Sequence, residues 1–207
     1  QSPLVIQYRV NAGYIPKTHW TQDPIEGGGR ILGEVCHFVD VMQYLTDAEP
    51  TRVYAEAVTA SNSNVIAADN VNITISFSDG SLGAITYVAL GDPALGKERI
   101  EVFGDNATAV IDDFRLAEFY RNRGRVKRLK HKGKGHEEEV KEFVSALRAG
   151  GASPISFNSL VLTTMTTFRI TESLKAQAPL MVRSTADLNS TASSESQKNA
   201  QVQEILQ

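Results

Sequence analysis

The residues best suited to chemistry fall between Glu26 and Leu45, in the stretch EGGGRILGEVCHFVDVMQYL. Glu34, His37 and Asp40 follow one another at intervals of three, so a helix makes each consecutive pair neighbours. An imidazole changes charge near neutral pH, which suits it to take up and return a proton. His37 is of the residue type for such work, and Glu34 and Asp40 are the carboxylates that a helix would set beside it. Gly27, Gly28 and Gly29 run straight into this segment. Without side chains in front of them, their backbone N–H groups suit the close approach of an anion or polar ligand at a helix start. The run is not a dinucleotide fingerprint: it lacks the G-x-G-x-x-G spacing, and no buried strand directly precedes it. Each feature also has a plain structural reading: a tight connection for the glycines, a hydrogen-bonded histidine for His37, a solvated helix residue for Glu34.

A helix is expected to carry these groups. Ile31, Val35, Phe38, Val39, Met42 and Leu45 recur at helical spacing as one buried stripe, with Arg30, Glu34, His37 and Tyr44 mainly on another side. Asp47, Glu49 and Pro50 end it. A strand is expected over Leu4–Val10, then an ordered loop from Asn11 to Glu26. In that loop Lys17, His19 and Trp20 offer a cation, an imidazole and a ring to a sugar-like ligand; alternatively, Trp20 simply packs the loop on the helix. Further strands are expected at Thr51–Ala60, Val71–Phe77 and Leu82–Val88, the last two joined by the turn Ser78-Asp79-Gly80-Ser81. A second hairpin pairs Glu98–Phe103 with Thr108–Ile111. A third pairs Leu116–Tyr120 with Arg125–Leu129 and turns near Gly124. Gly135–Ala149 reads as a helix with Val140, Phe143, Val144 and Leu147 as its apolar stripe. Leu160–Lys175 reads as another, with Leu160, Thr164, Phe168 and Leu174 partly inward, and Pro179–Val182 as a short final strand. Consecutive hairpins imply antiparallel pairing. The expected fold is α+β, an open and mainly antiparallel β-sheet with helices packed on one face. It occupies residues 1–183, and the Ser/Thr/Asn/Gln-rich residues 184–207 form a polar tail.

The 207 residues are 42% hydrophobic and 22% charged with a net charge of −3, ordinary for a globular protein and without a global pull toward nucleic acid or anionic membrane. No apolar run is long enough for a membrane span, and no signal-peptide pattern opens the chain. The single cysteine, Cys36, excludes an intramolecular disulfide and fits a reducing, cytoplasmic compartment. The four histidines lack short ligand spacing, so no metal site is expected. Eight Lys or Arg lie between Arg121 and Lys134. No aromatic residue interleaves among them for base stacking, and a solvated, edge-protecting hairpin is the expectation.

The spacing GGG, then His37 eight residues after Gly29 and Asp40 three later, resembles the first helix of the C-terminal domain in the Gfo/Idh/MocA oxidoreductases. Their pattern is GGG-x-x-x-D-x-G-x-H-x-x-D. Gly27, Gly28, Gly29, His37 and Asp40 match it; Gly33 replaces its Asp and Val35 its Gly. RVNAGYIPKTHW, Arg9 to Trp20, also resembles a subgroup of the family. The resemblance implies the substrate-binding and dimerisation half of an NAD(P)-dependent oxidoreductase acting on a sugar, polyol or nucleotide-sugar by hydride transfer. The NAD or NADP is held mainly by an N-terminal Rossmann domain, of which this chain contains no fingerprint, and the sequence begins as a fragment would. On this basis His37 and Glu34 are catalytic. Lys17, His19, Trp20, Arg30 and Asp40 bind substrate, and Gly28 and Gly29 approach the cofactor. The sheet face makes a homodimer or higher oligomer. The alternative, favoured by the Gly33 departure, is a non-catalytic oligomerisation or ligand-binding module of the same fold.

Overall fold

The computed structural model describes residues 2–59, 64–131 and 133–182. Nine strands form one open sheet: β1 (Val5–Asn11), β2 (Pro50–Ala57), β3 (Asn70–Phe77), β4 (Leu82–Val88), β5 (Glu98–Gly104), β6 (Ala107–Asp112), β7 (Leu116–Arg121), β8 (Lys127–Lys130) and β9 (Leu180–Met181). Their order is β8-β7-β6-β5-β1-β4-β3-β2-β9. Among the described residues, only β1 and β4 pair in parallel; all other neighbours are antiparallel. The α+β architecture is as the sequence implies. The hairpin turns place left-handed residues at Gly80, Asp105-Asn106, Asp113-Phe114 and Asn122-Arg123, the last next to Gly124 as the sequence implies. The expected strand end at Ala60 and the stretch 184–207 lie outside the described residues.

Alternation along the strands fixes the covered face. Ile6, Tyr8 and Val10 of β1, Ile73 and Ile75 of β3, and Ile85 and Tyr87 of β4 are buried. Against them lies α1 (Cys36–Thr46), with Phe38, Val39 and Met42 inward as the stripe implied. Gly83 allows this contact: a Cβ there would stand 2.5 Å from the Met42 sulfur. α3 (Phe157–Ala176) packs on β2 and against α1. Its N-cap Ser156 accepts the Ser159 N–H. The inward side of α3 is not the expected one. Leu162, Thr163, Thr166, Thr167, Ile170 and Ser173 are buried, whereas Leu160 and Phe168 are exposed. The buried threonines escape a desolvation penalty because Thr166 and Thr167 hydroxyls donate to Leu162 and Thr164 carbonyls. The Thr163 hydroxyl accepts from Gln43 of α1. A threonine run with such local partners packs as an apolar surface does, which hydrophobic spacing does not show.

α2 (His136–Arg148) departs further from expectation. Its stripe exists, but none of its residues is buried.

Candidate functional site

One end of the sheet, at the last residues of the parallel strands β1 and β4, gathers most of the ionisable groups that are not solvated. The chain reaches it through the loop after β1. Asp23 Oδ1 accepts the N–H groups of Ile25 and Glu26 at 2.7 and 2.8 Å, closing a turn. The Asp23 carbonyl accepts those of Gly27 and Gly28, and the Thr21 carbonyl that of Gly29, at 3.0, 2.8 and 3.0 Å. Gly28 and Gly29 sit at φ +70° and +86°, and a Cβ on Gly27 would lie 2.4 Å from the Trp20 carbonyl oxygen. The glycines are therefore demanded by a compact turn. Their N–H groups are already donating within the turn, which removes the physical reason for expecting them to hold an anion or polar ligand.

The helix does not start as a regular α-helix. Ile31–Val35 form a wide π-type turn before α1, a distortion that often accompanies functional sites. It directs Arg30 and Glu34 inward. Arg30 is only 5% exposed. It donates to the carbonyls of Gly13 (2.6 Å) and Ala12 (3.2 Å) and to Glu34 (3.1 Å), and its guanidinium lies 5.2 Å from the Tyr87 ring centroid. Arg30 was expected among the substrate ligands. Its two terminal nitrogens instead donate inside the protein, where they pin the loop after β1 to the helix start, while the buried Nε has no partner among the described residues.

Glu34 is the centre of the network. One carboxylate oxygen takes Arg30 and the Tyr87 hydroxyl; the other takes Lys97 Nζ at 2.9 Å. Burial by itself raises the Glu34 pKa, but the hydrogen bonds of Tyr87 and Lys97 and the charges of Lys97 and Arg30 outweigh it, and the net shift is downward. Burial, then the Glu34 hydrogen bond, pushes the Tyr87 phenol strongly upward. Asp69, 2% exposed, accepts from Gln22 at 2.7 Å and lies 3.9 Å from Arg30. Burial raises its pKa more than Gln22 and Arg30 lower it. Lys97 is positioned by Asn11, whose amide donates to the carbonyls of Asp92 and Leu95 and whose N–H donates to that of Lys97.

A second group repeats the arrangement beside the first. Buried Tyr8 donates to Glu98, which also receives Lys134. The Tyr8 and Tyr87 rings flank Phe38, with centroids 4.8 and 6.1 Å from it. Tyr87, Lys97, Asp69, Tyr8 and Glu98 were not among the residues singled out in the sequence. Tyr8, Tyr87 and Glu98 come from three strands, Asp69 from the short turn before β3 and Lys97 from the loop before β5, and residues so far apart in the chain carry no spacing signal.

His37 stands exposed on the first turn of α1. Both oxygens of Glu34 are engaged elsewhere, so the carboxylate expected to orient His37 is instead held by Tyr87, Lys97 and Arg30. Asp40, half-buried on α1, is the carboxylate within electrostatic reach of the imidazole: desolvation raises its pKa, His37 lowers it and Glu139 raises it. Lys17, His19 and Trp20 lie exposed on the loop after β1. His19 Nδ1 is 3.0 Å from the Thr21 hydroxyl, and its ring is 5.9 Å from that of Trp20. Gln22 and the glycine turn tie this loop to the network. Among the described residues, no group of three His, Cys, Asp or Glu side chains could hold a metal ion.

A model of the GFO/IDH/MocA C-terminal domain matches residues 3–110, which contain the whole Glu34 network. The chain belongs to the GFO/IDH/MocA C-terminal domain family. No curated protein sequence matches it. Among solved structures it resembles an NAD-binding oxidoreductase from Klebsiella pneumoniae (20% identity, TM-score 0.71, 88% of this chain and 59% of that one). It also resembles levoglucosan dehydrogenase in complex with NADH (18%, 0.71, 88% and 59%). A third similar structure is UDP-N-acetylglucosamine 3-dehydrogenase from Acidithiobacillus ferrooxidans (16%, 0.65, 84% and 55%). At these identities the likeness is one of fold, and the chain spans somewhat over half the length of the chains it matches. Among the described residues, no helix is long and apolar enough to cross a membrane.

Proposed function

We propose that this domain is the substrate-side half of an NAD(P)-dependent oxidoreductase acting on a sugar, polyol or nucleotide-sugar. The observation that carries the reading is the exposed imidazole of His37 at the head of α1, one turn from the fixed Glu34 network, within the segment that the family model matches. Hydride transfer from an alcohol carbon leaves a hydroxyl proton that needs an acceptor. His37 takes that proton, and Asp40 favours the imidazolium that results. Glu34 is ill-suited to proton transfer, since three donors hold it ionised; it fixes the Lys97 ammonium and the Tyr87 phenol. Lys97, half-exposed, presents its remaining donors to a hydroxyl-rich ligand, and the Lys17–Trp20 loop closes over the ligand from the side. The nicotinamide supplies the hydride acceptor and is held by a Rossmann partner domain, because the glycine turn here offers no N–H cradle.

The outer face of the sheet serves assembly in this reading. Val5, Leu82 and Phe103 are paired across neighbouring strands and are 47%, 41% and 39% exposed, a contiguous apolar patch. Two copies meeting there bury on the order of 1,000 Å² or more.

In the complete enzyme, His37→Ala lowers kcat by roughly 10²–10⁴-fold while the melting temperature hardly moves, since an exposed imidazole contributes little packing. Unchanged turnover per folded molecule would refute the assignment. A second reading, a module that kept the fold without the chemistry, is favoured by the closed Gly27–Arg30 turn. It requires His37→Ala to leave turnover intact, so the same experiment separates the two.

A further inference from the structure

Gly33 stands where the family pattern carries Asp. Neither packing nor backbone demands a glycine there. The residue is exposed, a Cβ built on it would meet nothing within 4 Å, and its φ lies outside the left-handed region, unlike those of Gly28 and Gly29. The gap lies between two groups that the site already uses. Glu34 follows directly and holds Lys97 Nζ at 2.9 Å, and His37 comes four residues later, about one turn on. The charges around the gap cancel. Arg30 is 3.1 Å from Glu34 and 3.9 Å from Asp69, and Lys97 is the second cation on Glu34. An aspartate at 33 would tip that balance negative; glycine leaves it even. The Lys97 side chain is 44% exposed and gives one hydrogen bond to Glu34, so two of its three N–H donors remain for a ligand.

Resting on the functional reading above, we propose that the substrate is a sugar acid whose carboxylate sits over Gly33 and is received by Lys97. The group missing from the protein is then brought by the ligand. A carboxylate matches, in size and charge, the side chain that the family pattern would place there; a phosphate is bulkier. A hydrogen bond from an ammonium to a carboxylate is about twice as strong as one between neutral groups, so Lys97 favours an acid over the corresponding neutral sugar. Specificity is also set by what is absent, because a carboxylate built into the protein at 33 would repel the one on the ligand.

The test measures kcat/KM of the complete enzyme, with NAD and with NADP, on matched pairs: glucose and glucuronate, galactose and galacturonate, UDP-glucose and UDP-glucuronate. Glucose 6-phosphate is added as a different anion. The acid should exceed its neutral partner by roughly 10–100-fold, the strength of one hydrogen bond to a charged group. The KM of a free acid should rise with added salt while that of its neutral partner stays level. Gly33→Asp should lower the acid-to-neutral ratio by roughly 100-fold, and Gly33→Asn, of equal size without the charge, by less than about tenfold. Both variants should keep the wild-type melting temperature, since the space is open. If either fails to fold, the wild-type ratio and its salt dependence decide alone. Neutral sugars turned over as well as the acids, glucose 6-phosphate preferred to glucuronate, or equal effects of Asp and Asn would each overturn the sugar-acid assignment and leave the functional reading standing. Absence of NAD(P)-linked turnover across the whole panel would overturn both.

Discussion

Replacing Arg30 by Met tests whether the buried network is organised as its distances imply. The guanidinium side chain is 3% exposed and serves two carbonyls, Glu34 and, at 3.9 Å, Asp69. Methionine fills much of the volume but donates nothing. The Ala12 and Gly13 carbonyls lose their donor, and Asp69 keeps Gln22 alone. Removing one side of a buried ionic group destabilises by about 3–5 kcal/mol. The partial solvation of Glu34, with Lys97 and Tyr87 still in place, favours the lower half of that range. For a domain of this size the shift in Tm is then roughly 6–15 °C, read by thermal or urea unfolding. The effect should also depend on pH. Burial already raises the Asp69 pKa above its ordinary value of 3.8, so its contribution to stability falls as pH rises from the unfolded value through the folded one. Loss of Arg30 raises the Asp69 pKa further and removes part of what holds the Glu34 pKa down, and the deficit of the variant should shrink between pH 7 and about pH 4. Asp69→Asn added to Arg30→Met should recover part of the loss, a coupling of roughly 1–3 kcal/mol. A deficit below about 1 kcal/mol, or one of the same size at both pH values, would show that Arg30 is not the electrostatic pin.

Other outcomes follow from single distances and angles. Gly29→Ala forces a side chain to φ +86° and should lower stability by about 1–2 kcal/mol, whereas Gly33→Ala meets open space and should change it by less than about 0.5 kcal/mol; chemical denaturation of the two variants compares them directly. Tyr87→Phe removes the phenol donor of Glu34 and should narrow the acid range of stability. Because the Glu34 pKa is depressed below its ordinary value of 4.5, its stabilisation is present above that value and lost as pH falls through the folded pKa, so the wild-type and Tyr87→Phe curves should converge in acid. Phe103→Glu on the outer sheet face should yield a monomer by light scattering at concentrations where the wild-type chain is dimeric; a wild-type chain monomeric at tens of micromolar would count against that face as an interface.

Local signals in the sequence determined the elements. Alternation at Val71–Phe77 made β3, the Asp79-Gly80 turn joined it to β4, and the stripe through Val35, Phe38, Val39 and Met42 chose the buried side of α1. These are short-range consequences of backbone period and turn chemistry. The same spacing, with the glycine run, carried the family, and it left His37 facing solvent as expected. What tertiary structure decided was which polar groups meet. Nothing near Tyr87 or Lys97 in the chain marks them as partners of Glu34, because β1 and β4 are brought side by side only by the crossover, and Lys97 is placed only by Asn11. The glycine N–H groups looked free until the loop turned back and its own carbonyls took them. Arg30 looked like a surface ligand until the π-type turn aimed it inward. α2 has a stripe as convincing as that of α1, yet periodicity specifies only that a face is apolar. Whether that face finds a sheet beneath it depends on where the chain has already run.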